Sequence, residues 1–298
     1  MDANLDTLCT VVYCTADDLL PAAKRNARRR ISDAEIVTLC VAQSIMGIPS
    51  DRRFLASARQ RLGLLFPELP TQAGYYKRRR ALADAIEWLL GVFAAQSPGS
   101  ADELLLIDST PVECARSRET VRRSALADYA DYGYCASHSR YFWGFRLHAI
   151  FALDGTPRAL RLASPKLDER EVGAGPLERC RRSGGEILLA DKGYAGAEFA
   201  RCVEELDCVL VRPARRDEPD SGLHLAPIRQ RIESIFFTCK DLLTLERHGG
   251  RTTAGVRERI LARFCCLAAC ISLNHRLGRP SRSLSATAPE AVSVESII

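Results

Sequence analysis

Two rhythms of apolar residues divide the chain near residue 97. Before it the spacing is helical. Ser32-x-x-Glu35 is a capping box, followed by Ile36, Leu39, Cys40 and the Gln43–Ile45 stretch, with a stop at Gly47. A second helix is predicted from Ser50–Asp51, with Phe54, Leu55, Ala58 and Leu62 on one face. A third is predicted from about Gly74 to Phe93, carrying Tyr76, Arg80, Leu82, Ile86, Leu89, Leu90 and Phe93.

Ser97–Pro98–Gly99–Ser100 reads as a linker, and the rhythm then changes. Leu104–Ile107 is a short apolar run ending on Asp108, which predicts a buried strand. Residues 115–140 are polar and basic and read as a surface loop. Tyr141, Trp143, Phe145, Leu147, Ala149, Phe151 and Leu153 alternate with period two, Asp154–Gly155 is a hairpin turn, and Ala159–Ala163 is the returning strand. Then come helical character over Leu167–Ser183, a strand Ile187–Asp191, a helix over Gly196–Leu206 and a strand Cys208–Val211. A helix opened by Pro227 runs to about Leu243, and a last one, about Thr253–Leu277, should pack an apolar face on the sheet. This order predicts an α/β fold with a mixed sheet: an antiparallel hairpin, then parallel units. The boundaries are a helical domain over 1–97, a catalytic domain over 98–278 and a disordered tail over 279–298.

Charge adds a partner class. The net charge is only +5, but the cations clump. The clusters are Lys24–Arg25 with Arg28–Arg30, then Lys77–Arg80, then Arg116, Arg118, Arg122 and Arg123, with smaller ones at Arg179–Arg182 and Arg212–Arg216. Clustered arginine favours phosphate backbones, although any single run is commonly a solvated helix face. The helices of the front domain are thus expected to bind DNA; the bland alternative is a bundle that only packs on the catalytic domain. The 12 cysteines are scattered, with no Cys-x-x-Cys pair, so neither a structural zinc nor a disulfide framework is indicated. No signal peptide precedes Asp2 and Asp6, and Arg263 interrupts the most apolar late segment, so a cytoplasmic protein outside the membrane is expected.

The chemistry starts from carboxylates. Asp108 and Asp191 each close an apolar run, and a carboxylate at the carboxyl end of a buried strand sits where α/β sheets hold ligands. Alone, such an aspartate commonly caps a turn. On the helix from Pro227, Ile228, Ile232, Ile235, Cys239 and Leu242 form a buried stripe. Arg229, Glu233 and Lys240 gather about a quarter-turn away. An exposed Arg–Glu pair at i,i+4 is the ordinary alternative. His148 reads as a hydrogen-bonded structural histidine, and Asp168, Glu169 and Glu171 as a solvated helix face. A haloacid-dehalogenase-type phosphatase would need Asp at Thr110, and a dinucleotide enzyme would need a Gly-x-Gly-x-x-Gly that is missing.

As a set, Asp108, Asp191 and Glu233 resemble the DDE triad of insertion-sequence transposases. Arg229, Glu233 and Lys240 match the Arg, Glu and Lys of their Y-(2)-R-(3)-E-(6)-K signature, although Ala226 stands where that signature has Tyr. Ile107–Asp108–Ser109, Tyr141–Phe142–Trp143–Gly144 leading to Leu147–His148, and Ala190–Asp191–Lys192–Gly193–Tyr194 also resemble the family. The resemblance covers residues 30–277. It implies a ribonuclease-H-like core holding two Mg²⁺ (or Mn²⁺) ions on Asp108, Asp191 and Glu233. Asp108 would lie between them, because clustered carboxylates need compensating cations. It also implies cleavage of double-stranded DNA at the element's terminal repeats and transfer to target DNA, with a homodimer pairing the ends. DNA would be met by Arg229, Lys240, Lys192 and the Lys77, Arg78, Arg79, Arg80 cluster. A ribonuclease-H-like nuclease without strand transfer and a catalytically inactive DNA-binding regulator remain the alternatives.

Overall fold

The computed structural model describes residues 3–21, 30–135, 139–180, 184–214, 218 and 225–284, and within them every side chain except those of Ala3 and Arg229. The cluster at Lys24–Arg29, the Arg181–Arg182 and Arg215–Arg216 pairs, the side chain of Arg229 and the tail from residue 285 lie outside the described residues.

Five helices form the front: α1 (Ala3–Leu19), α2 (Asp33–Ile45), α3 (Asp51–Arg61), α4 (Gln72–Ala81) and α5 (Ala83–Ala95). Ser32 and Glu35 make the capping box of α2, while Ser50 and Thr71 cap α3 and α4 through their side chains. The single helix expected over Gly74–Phe93 is broken at Leu82. No Gly or Pro marks that break. Tertiary packing imposes it, since α4 buries Tyr75 and Arg79 while α5 buries Ile86, Leu89 and Phe93.

The described strands form a six-stranded mixed sheet: β1 (Leu104–Ala115), β2 (Asp131–Cys135), β3 (Arg140–Ala152), β4 (Pro157–Ala163), β5 (Glu186–Leu189) and β6 (Cys208–Val211). The path is β2-β3-β1-β5-β6, with β4 also on β3. Residues 140–144 of β3 pair with β2, and residues 146–151 pair with β4. Leaving β2 aside, the order β4-β3-β1-β5-β6, antiparallel on one side and parallel on the other, is the ribonuclease-H-like core. The stretch 115–140, expected as a loop, instead holds the end of β1, the short helix α6 (Arg118–Arg122) and the edge strand β2. The exposed Tyr132 and Tyr134 of β2 gave it no apolar face to read.

Helices cover both faces, so β3 is buried on both, and the alternation at 141–153 marks only one of its apolar sides. One face carries α7 (Glu169–Arg179) and α8 (Ala197–Glu205), whose Leu177, Phe199 and Val203 pack with Leu105, Ile107, Ile150 and Tyr194. The other carries α9 (Ala226–Asp241) and α10 (Thr253–Arg276), which meet the sheet where Phe151 contacts Phe236 and Phe264, at ring separations of 5.5 and 6.0 Å.

Helix α10 departs from the expected one-sided packing on the sheet. It is buried from Gly255 to Asn274 and packs chiefly against α5 and α2 while still touching β4. An apolar helix buried all round belongs inside a core. Residues 279–284, expected as loose tail, are tied down: Arg279 donates to Asn4, Arg282 donates to Ser234, and Leu284 is buried. No helix among the described residues is long and apolar enough to cross a membrane.

Candidate active site

The sheet opens where β5 stops. Leu106 and Leu189 are the last pair between β1 and β5, so residues of β1 beyond Leu106 have β3 on one side and no described strand on the other. Asp108 lies two positions past Leu106, and Asp191 two past Leu189. The sequence placed both at strand ends; in the structure β1 continues through Asp108 to Ala115, and Asp191 stands just beyond β5. What they share is the split in the sheet.

Each aspartate is oriented by its own chain. Asp108 Oδ1 accepts from the Ser109 N–H at 2.7 Å, and Asp191 Oδ1 accepts from the Gly193 N–H at 2.7 Å, capping a 3-10 turn over Lys192–Tyr194. Across the split lies α9. Its Ile232, Ile235 and Phe236 are buried, each worth about 1.5–3 kcal/mol of burial, so the apolar side fixes the helix and leaves Glu233 on its rim. Arg231 donates to the Leu153 carbonyl (3.0 Å) and Ser234 accepts from Arg282 (3.0 Å), fastening α9 on either side of Glu233. Asp108, Asp191 and Glu233 thus line one cleft, floored by Leu106, Leu189, Ile228 and Ile232. The donor set is all oxygen, which suits Mg²⁺ or Mn²⁺. Among the described residues no three His, Cys, Asp or Glu side chains stand close enough to form a ready-made metal cage.

A polar group lies under the cleft on the opposite sheet face. Ser109 Oγ donates to Glu169 Oε1 at 3.0 Å, Arg146 forms an ion pair with Glu169, and Arg146 also donates to the Tyr134 carbonyl at 3.0 Å. Sequence reasoning missed this group, because Glu169 sits in an acidic run that reads as solvated. The signal was Arg146, a charge in the middle of a largely apolar strand. His148 is fully buried beside the Tyr194 hydroxyl (3.3 Å). Burial, with Arg146 and Arg161 nearby, pushes its pKa down to about 3, so it is neutral, as expected of a structural histidine. Burial raises the Tyr194 pKa well above its usual value, and the charges of Asp108 and Asp191 add to the rise.

The predicted DNA contacts separate. Lys192 is exposed beside Asp191. Lys240 is half-buried and faces Glu246 at 3.6 Å. In the front cluster Lys77 and Arg80 are exposed, with Arg80 over the Tyr76 ring (5.5 Å), while Arg78 pairs with Asp33 at 2.6 Å. Arg79 points inward, contrary to the expectation that it meets DNA. It is 1% exposed and held by Asp51 and Glu258, each at 2.8 Å, because it lies one helical turn after the buried Tyr75.

The Transposase DDE domain family matches residues 99–269. No curated protein matches the chain. Among solved structures, the cryo-EM structure of a piggyBac transposase synaptic complex with hairpin DNA is similar at a TM-score of 0.40 and 8% identity, over 99% of this chain and 85% of that one.

Proposed function

The chain belongs to the Transposase DDE domain family, and from that premise we propose that it cleaves the ends of a mobile DNA element and joins them to target DNA, using Asp108, Asp191 and Glu233 as metal ligands. The observation that carries this reading is the convergence of these three carboxylates, from β1, the turn after β5 and α9, on one cleft. When bound, a pair of Mg²⁺ or Mn²⁺ ions offsets the repulsion among the carboxylates and supplies Lewis acidity to the attacking and leaving oxygens.

The protein's own part is positioning. Main-chain N–H groups of Ser109 and Gly193 aim the two aspartates. The buried side of α9 sets the height of Glu233 above the sheet. Lys192, exposed beside Asp191, would meet a phosphate, and Lys240 would do so by exchanging Glu246 for one. Arg229 is assigned the same role from its signature position. Lys77, Arg78 and Arg80 are proposed to hold double-stranded DNA away from the cleft, with Arg78 leaving Asp33 to do so. Two element ends need two active sites, so a homodimer is the proposed working unit, acting on DNA in the cytoplasm.

Incubation of the protein with a labelled element end, Mg²⁺ and a plasmid target tests this. Asp191→Ala and Glu233→Ala should each lose at least about a thousandfold in cleavage, the scale of several kcal/mol of charge stabilisation. Full cleavage by either variant would sink the assignment. Cleavage without joining would identify a plain nuclease, and DNA binding without metal-dependent cutting would identify a regulator.

A further inference from the structure

We infer that Glu169, backed by Arg146 and acting through Ser109 and Gly193, is a positioning residue that sets the separation of Asp108 and Asp191 from the far side of the sheet. The inference rests on the reading of Asp108, Asp191 and Glu233 as metal ligands.

Successive side chains on a strand point to opposite faces. Asp108 shares a face with Leu106, toward α9, while Ser109 shares the other with His148, its partner on β3. Arg146 lies on that same face, opposite Pro111. Glu169, the first residue of α7, arrives there, on the side of the sheet away from Glu233.

Two contacts define what it does. Its Oε1 accepts from Ser109 Oγ at 3.0 Å. Its Oε2 lies against Gly193, where an added Cβ would stand 2.6 Å from Glu169 Oε2 and 2.9 Å from Asp191 Oδ1. Ser109 and Gly193 are the two residues whose N–H groups orient Asp108 and Asp191. One carboxylate therefore bonds the side chain of Ser109 and borders Gly193, the two residues whose main-chain N–H groups aim Asp108 and Asp191. Arg146 neutralises it, so the holder adds little repulsion to a site already crowded with negative charge. Being committed to Ser109 and Arg146, Oε1 acts through these residues rather than as a ligand. Groups that orient metal ligands from outside commonly change metal affinity or activity by about 10–100-fold when removed.

The test uses the full chain. Mn²⁺ binding to the DNA-free protein is measured by calorimetry, single-turnover cleavage of an element end is followed, and the thermal midpoint is recorded for each variant. Glu169→Ala should weaken Mn²⁺ binding by about 10–100-fold and slow cleavage, with KM for DNA unchanged. Glu169→Gln, whose amide oxygen still accepts from Ser109, should recover part of both. A folded Glu169→Ala with unchanged Mn²⁺ affinity and rate overturns the inference. So does a complete loss of Mn²⁺ binding equal to that of Glu233→Ala, which would make Glu169 a ligand. If Glu169→Ala does not fold, Ser109→Ala decides: a weaker effect in the same direction supports the holder, and none refutes it. Unchanged Mn²⁺ binding in Glu233→Ala would instead overturn the ligand reading itself.

Discussion

Arg259 of α10 donates to Asp51 at the start of α3 at 2.9 Å, closing a separation of 208 residues. Asp51 also takes Arg79, and Gln43 donates to the same oxygen, so one buried carboxylate joins α2, α3, α4 and α10. Despite its burial, Arg79 and Arg259 hold the Asp51 carboxyl below its usual pKa. Removing one partner of such a pair leaves the others buried and uncompensated, at about 3–5 kcal/mol. Asp51→Ala and Arg79→Ala should each lose stability on that scale in denaturant unfolding. A loss below about 1 kcal/mol would show that the network carries little.

Salt dependence separates the exposed cations of α4 from the buried one. Lys77→Glu and Arg80→Glu should weaken DNA binding. Each should also flatten the dependence of log affinity on log salt by about 0.9, the value expected per lost phosphate contact. Binding that is unchanged in both strength and slope would leave this helix a packing element.

A Cβ at Gly193 would crowd the carboxylates of both Glu169 and Asp191, so one or both must shift to admit it. Gly193→Ala should slow cleavage by at least about tenfold through misplaced carboxylates. Its effect on stability should stay under about 1 kcal/mol, because the residue is exposed. Wild-type cleavage by the folded variant would show that the turn adapts.

A buried histidine sets one pH dependence. His248 accepts from the Gly250 N–H through Nδ1 (3.0 Å) and contacts the Glu113 carbonyl through Nε2 (3.2 Å). Burial, with Arg263 nearby, lowers its pKa from 6.5 to about 4. Between these values the unfolded chain takes up a proton that the folded one refuses, so this stabilising contribution is present above pH 6.5 and lost as pH falls toward 4. Glu258 acts in the opposite sense: burial, opposed by Arg79 and Arg259, raises it from 4.5 to about 7, so its contribution grows as pH falls across that range. A comparison of wild type with His248→Asn isolates the histidine. The cost of the substitution should be smaller at about pH 5 than at about pH 7.5 by about 2 kcal/mol. An equal cost at both would refute a neutral buried His248.

The elements that the sequence announced are those whose signal is local. Ser32 with Glu35 is a cap in the chain and in the structure, and the turn at Asp154–Gly155 joins β3 to β4 where the alternation stops. The three carboxylates that line the cleft stood out because each closes or rims an apolar pattern. What stayed hidden depends on partners distant in sequence. Leu82 breaks a helix with no breaker residue, Arg79 is buried by acids 28 and 179 positions away, and Glu169 turns toward a serine 60 residues upstream. Composition cannot distinguish Arg79 from Arg80, since only the direction of one helix face separates them.

The burial of α10 among the front helices has a consequence for the order in which the molecule is made. Leu39 and Phe93 belong to the same continuous core as Phe264 and Leu267, and Asp51 waits for Arg259. A ribosome that has finished β6 has made the front helices and the six described strands, yet neither the helix bearing Glu233 nor the one that seals the front. Half-made chains therefore carry two of the three carboxylates on an unsealed scaffold. If the three carboxylates hold the metal as proposed, competence to cut would arrive only as the whole molecule closes, within the last stretch of synthesis.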